Sequence, residues 1–386
     1  MRPMNCAAVV VAAVLGCAAV ARGGDLIQKR DGSFTPSIKG ESPSAADYEA
    51  STWQVLDATI DEIRTTLTAG GKAVPQTLKA SDSADIWLEP RDYPSQWKEA
   101  SDLSAAGNNK RAADLYRAIG AAAQVHPVVR QKALLFAARA VWNSGDTVGA
   151  DAAYDALLKT FPTSYYTRSV WKDRWQMWMD GGNEEKAKAA IDQLLKLPGV
   201  TEADQLEARL ALNTIAFRKA VAAKDVPGIQ KALDEYKAIA QLTQGKKEMA
   251  SVSALARIGQ ANCLLALGKT GEARAIFEDL AERGTENAVL AAAWNGLGEC
   301  WYKDNNPKGW AEARRCFLRT SLMYDEGTPG DVVAKALYFA GDCFFRLQDS
   351  EAWRDNAKKE LQSCISRFPK SPWADQSRKL WNSIPK

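Results

Sequence analysis

The chain has 386 residues, a net charge of +3 from 50 basic and 47 acidic side chains, and a single histidine. That length exceeds one compact core and points to several domains or a repeat array. Basic and acidic residues alternate throughout, which excludes the concentrated basic patch of a nucleic-acid binder. In chain order, the first element is an apolar run from Ala7 to Ala21 that carries no charge and follows Arg2. It is shorter than the roughly 20 residues of a membrane span and suits a signal peptide over residues 1–21, cleaved after Ala19-Val20-Ala21. A competing reading takes Val14-Leu15-Gly16-Cys17 as a lipobox with Cys17 as the lipidation site. No other apolar run reaches spanning length, so the mature chain is expected to be exported to the periplasm or cell envelope, either free or lipid-anchored.

Residues 22–92 read as a small β-rich module. Asp31-Gly32 and Gly70-Gly71-Lys72 are turn formers, and the second separates the strand candidates Arg64–Thr68 and Ala73–Leu78. Ile86–Glu89 offers one further strand, while Ser51–Ile63 reads equally well as the start of a helix.

Residues 93–386 are helical and periodic. An alanine is followed four residues later by a bulky side chain in Ala112–Tyr116, Ala150–Tyr154, Ala187–Ile191, Ala232–Tyr236, Ala273–Phe277, Ala313–Phe317 and Ala357–Leu361. The alanines are separated by 38, 37, 45, 41, 40 and 44 residues, room for two helices and a loop. Trp294-x2-Leu297-Gly298-x2-Trp301 resembles the first half of the tetratricopeptide-repeat (TPR) signature, and Gly145, Ala150, Tyr154 and Pro162 resemble the rest. The resemblance covers about residues 95 to 370 and implies a mainly α fold. The expected architecture is a TPR-like α-α superhelix of about seven helical hairpins, preceded by the β-rich module. In the fourth unit Pro227-Gly228 stands in place of the turn glycine. The sixth and seventh units carry longer loops at Asp304–Trp310 and Gln348–Trp353.

The packing logic follows from size. Ala261, Gly298 and Gly341 occupy the point where two helices of a unit cross, and the bulky residue four after each alanine fills the gap against the next unit. A polar-faced helix opened by Ser371-Pro372 and bearing Asp375, Arg378 and Lys379 caps the array. Cys263, Cys300 and Cys343 each stand two residues after a crossing residue, so they read as small buried side chains. Cys316 and Cys364 complete the five cysteines of the mature chain.

No motif for catalysis, cofactor or metal stands out. His126 is alone, and the sequence holds no GxSxG, P-loop or GxGxxG pattern. Trp171, Trp175 and Trp178 follow core spacing, whereas Trp142 and Trp310 do not; Trp310 reads as part of the sixth unit's insertion. The resemblance implies that a ligand lies along the concave face made by the first helix of each unit. On this alignment the face holds Lys132, Arg139, Trp142, Lys172, Gln176, Asn262, Asn295, Glu299, Tyr302, Tyr338, Asp342 and Phe345. The expected function is a non-catalytic scaffold of the cell envelope for a protein partner, bound through an extended or helical segment. Glycan or peptidoglycan binding and an outer-membrane assembly lipoprotein are the alternatives.

Overall fold

The computed structural model describes residues 25–29, 34–35, 53–69, 72–80, 83–324, 328–369 and 371–385. The signal segment 1–21, Cys17 and the turn glycines at 32, 70 and 71 lie outside them. The chain divides between Ala208 and Arg209 into two compact units.

The first unit begins with two antiparallel three-stranded sheets. One has the order β2-β1-β6, from β1 (Leu26–Lys29), β2 (Phe34–Thr35) and β6 (Ser83–Trp87). The other has the order β3-β4-β5, from β3 (Trp53–Ala58), β4 (Glu62–Ala69) and β5 (Lys72–Lys79). Alternation explains the second sheet: Ile63 and Thr65 are buried and pair with Leu78 and Gln76, while Arg64 and Thr77 form the exposed face. The stretch that read equally as a helix forms β3, whose pairing with β4 is interrupted by a bulge at Leu56. Asp25 joins the two sheets. Its carboxylate accepts the amides of Val55 at 2.6 Å and Glu89 at 2.9 Å, and burial raises its pKa to about 6 despite those donors.

Six helices follow as three hairpins: α1 (Ser95–Ala105) with α2 (Asn109–Ala121), α3 (Pro127–Asn143) with α4 (Thr147–Thr160), and α5 (Thr167–Asp180) with α6 (Glu184–Leu195). Helix α7 (Glu202–Ala223) crosses the division and pairs with α8 (Val226–Thr243). The second unit continues with α9 (Ala250–Ala266) and α10 (Thr270–Arg283), α11 (Asn287–Tyr302) and α12 (Pro307–Met323), and α13 (Gly330–Leu347) and α14 (Trp353–Arg367). It closes with α15 (Pro372–Ser383). None of the helices searched is long and apolar enough to cross a membrane.

Every first helix ends at a residue with positive φ. It is Gly107, Gly145, Gly182 and Gly268 in four hairpins, and Lys224, Asn305 and Gln348 in the others. The fourth unit therefore does not move its turn to Pro227-Gly228. Lys224 adopts the left-handed conformation (φ 54°), and Gly228 lies in the first turn of α8, where the Asp225 side chain accepts its N–H at 3.1 Å. Nor does the sixth unit carry its insertion as far as Trp310, because Asn306 caps α12 and places Trp310 within that helix.

All fourteen residues of the alanine–bulky pairs are at most 2% exposed. A Cβ at Gly298 would lie 2.7 Å from the Phe317 ring, and one at Gly341 would lie 2.7 Å from Leu361, within the same hairpins. The bulky side chains also reach the following first helix. A Cβ at Gly259 would sit 2.3 Å from Tyr236, and one at Gly296 the same distance from Phe277. In the next step Phe339 takes the equivalent place and stacks on Phe317 at 5.1 Å. Tyr236 is thus wedged between Phe217 and Gly259, and Phe317 between Gly298 and Phe339, each pair drawn from two first helices. Ser371 caps α15 and bonds Asp331 at 2.8 Å, while Asp375, Arg378 and Lys379 are exposed.

Gly296→Ala is expected to destabilise the second unit by about 1–3 kcal/mol through overpacking on Phe277. Gly271→Ala, where a Cβ meets open space, is expected to stabilise it by about 0.5–1 kcal/mol. Urea unfolding of the two variants, followed by circular dichroism, checks the opposite signs.

Candidate ligand-binding face

The residues expected to line a ligand groove are mostly engaged with one another's helices. In the first unit Lys132, 7% exposed, bonds Asp85 of β6 at 2.8 Å and the Ile86 carbonyl at 3.3 Å. Its neighbour Gln131 donates to the Ala58 carbonyl at 3.2 Å and accepts from Ser164 and Tyr165 at 2.8 and 3.0 Å. The protein's own sheets therefore cover this part of α3, and the Lys132 ammonium is not presented to a ligand.

Further along, Arg139 grips Asp173 of α5 through Nε at 2.7 Å and Nη2 at 3.2 Å, with the Tyr154 hydroxyl donating to the same carboxylate at 3.1 Å. Lys172 of α5 reaches Asp204 of α7 at 2.9 Å and also pairs with Glu207. Asp204 is fully buried; Arg168 lies 3.1 Å away and Thr201 donates through its hydroxyl at 2.8 Å. Burial alone would raise the Asp204 pKa, but Lys172, Thr201 and Arg168 overcome it and hold the carboxyl below its usual range. Gln176 bonds Asp180 of its own helix at 2.8 Å, and Trp142 is half-buried.

The second unit repeats this scheme with more rings. Asn295, 4% exposed, donates to the Val332 carbonyl at 2.7 Å. Glu299 of α11 pairs with Lys335 of α13, and the Tyr302 hydroxyl donates to Asp342. Arg346 also bonds Asp342, through Nε at 2.6 Å, and its guanidinium lies 5.2 Å from the Tyr302 ring centre and 5.4 Å from that of Trp310. Tyr338 packs at 5.5 Å against Trp373 of α15, and Phe345 at 6.0 Å against Trp353. Asn262 is half-buried. Tyr302, Tyr338 and Phe345 remain half-buried among paired charges, so this is where a surface with apolar area and few uncompensated charges is offered.

Sequence reasoning missed the partners: Asp173, Asp204, Lys335, Arg346, Trp310 and Trp373. A detectable signal existed for some of them. Arg139 and Asp173 stand 34 residues apart, and Glu299 and Lys335 stand 36 apart, each close to one repeat. An opposite charge one repeat away on the first-helix face marks a link between hairpins.

The reactive side chains have structural roles. His126 caps α3 by accepting the Val128 N–H on Nδ1 at 3.2 Å, and its Nε2 lies 3.0 Å from the Val55 carbonyl. That pattern assigns the proton to Nε2. All five cysteines of residues 263–364 are free and buried. Burial pushes the thiols of Cys263, Cys300 and Cys316 up to about 12, and those of Cys343 and Cys364 also upward. A thiol so placed supplies almost no thiolate at neutral pH.

No family model matches the chain, and no curated protein matches it in sequence. Solved structures do resemble it. A tetratricopeptide repeat protein from Parabacteroides merdae shares 14% identity over 76% of this chain and 98% of its own, with a TM-score of 0.48. PilW, a type IV pilus biogenesis factor, shares 15% over 66% and 99%, with a TM-score of 0.40. A Rap protein in complex with competence and sporulation factor shares 13% over 73% and 77%, with a TM-score of 0.47. The hairpins are TPR-like in their own right, by the small-residue crossings and wedged side chains described above. None of these likenesses bears on what the chain binds.

Because the folded-state pKa of Asp204 is lowered, its stabilisation is present above the unfolded value near 3.9 and is lost as pH falls through the folded one. Asp204→Asn is expected to cost about 3 kcal/mol at pH 7 by removing the buried carboxylate that Lys172 and Arg168 share. The gap between wild type and variant should close in the acid range, as read from urea midpoints at neutral and acid pH.

Proposed function

We propose that the protein is a non-catalytic interaction scaffold of the cell envelope that holds a partner protein by a segment laid on the first-helix face of residues 209–386. The observation that carries this reading is the row of half-buried rings at Tyr302, Tyr338 and Phe345, set among charges that already neutralise each other. Such a surface gives a ligand apolar contact area on rigid helices, so little ordering cost opposes binding. The corresponding face near Lys132 is covered by the sheets, which directs a partner to the later hairpins. Binding rather than catalysis accounts for a histidine engaged through both ring nitrogens and for thiols held in their neutral form. The envelope setting rests on the Ala7–Ala21 run, with cleavage after Ala21 or lipidation of Cys17 as its two routes.

In affinity capture from the native envelope, wild type is expected to retain a partner that Tyr338→Ala/Phe345→Ala binds at least about tenfold more weakly, with helical content unchanged. Equal retention by the double variant would remove this face as the binding site. Mass spectrometry of the mature N-terminus is expected to find Arg22 as the first residue. An acylated Cys17 would instead establish the lipid-anchored form, and an unprocessed Met1 would overturn export.

A further inference from the structure

Resting on the reading just given, we propose that the bound segment is an uncharged, proline-containing extended peptide running along α13. Three features of the face point there. First, its charges cancel in place: Asp342 with Arg346, and Glu299 with Lys335. An acidic or basic segment would gain no net attraction from such pairs, and breaking them leaves a half-buried charge behind. Second, Tyr338 and Phe345 are seven residues apart on one side of α13, about 10.5 Å along its axis. One turn of a polyproline II helix advances about 9.3 Å, so prolines one turn apart on the same edge meet both rings. Each ring is backed by a tryptophan, Trp373 behind Tyr338 and Trp353 behind Phe345, which fixes its orientation.

Third, a polyproline II segment makes no internal hydrogen bonds and needs donors for its carbonyls. Arg346 lies next to Phe345, with Nε on Asp342 and its side chain 38% exposed. The rings of Tyr302 and Trp310 hold that guanidinium in place, so it donates without first losing much rotamer freedom. An α-helical ligand would keep its carbonyls for itself and leave this donor unused.

The test titrates the full mature chain with acetylated, amidated decaproline, with an alternating glutamate–alanine decapeptide, and with chitopentaose, followed by tryptophan fluorescence and calorimetry. Decaproline is expected to bind saturably, with an affinity that changes little between about 50 and about 500 mM salt. Phe345→Leu and Arg346→Gln should each weaken it at least about tenfold without lowering the unfolding midpoint by more than a few degrees. The glutamine amide of the Arg346 variant still reaches buried Asp342 as a donor, so this change serves where the Phe345 change disturbs packing. No decaproline binding at millimolar concentration, or binding equal in both variants, overturns the inference. Preferred binding of the acidic peptide, lost in the variants, also overturns it while leaving the protein-binding face standing. Preferred binding of chitopentaose overturns both readings.

Discussion

The architecture depends on one steric relation, bulky side chains of the second helices wedged against small residues of the first helices. Tyr236, Phe277 and Phe317 fill space that exists only because the helices opposite carry glycine or alanine where they approach. Glycine inside a helix costs about 1 kcal/mol relative to alanine. Its presence at Gly259, Gly296, Gly298 and Gly341 shows that close approach outweighs propensity at those positions. Where the wedge meets Phe339 instead of a glycine, the two rings stack and the same volume is filled from the other side.

Polar links are then laid over the apolar frame, and one set of them runs between successive first helices. Arg139 with Asp173, Lys172 with Asp204, Glu299 with Lys335, and Tyr302 with Asp342 each join one hairpin to the next. Polar residues on the first-helix face therefore have a structural use before any ligand arrives. That use neutralises Glu299 with Lys335 and Asp342 with Arg346, and leaves the rings between them half-exposed. In the first unit the sheets go further, placing Asp85 and the Ile86 carbonyl on Lys132.

Helix number and the core positions were legible because they depend on local periodicity. An alanine followed four residues later by a bulky side chain, repeated at about forty residues, specifies a helix, its buried stripe and a partner helix. The left-handed turn was legible where glycine marks it and was misplaced where Lys224 occupies it, because a lysine announces no positive φ. Trp310 was misread for a similar reason: Asn306-Pro307 is both a loop signature and a helix start, and only the cap geometry separates the two. The Ser51–Ile63 stretch was undecided until β4 supplied its pairing partner.

By itself, then, the sequence determined the repeated hairpin, the buried alanine–bulky pairs and the capping helix, since each follows from contacts between residues close in the chain. Which groove residues are engaged was decided only by tertiary structure. Lys132 and Arg139 look alike as exposed cations on a helix face, yet one is buried by a sheet and the other grips the next hairpin. The difference lies in partners 34 to 47 residues away, and no local pattern records which of two such cations meets a carboxylate on a strand and which on a helix.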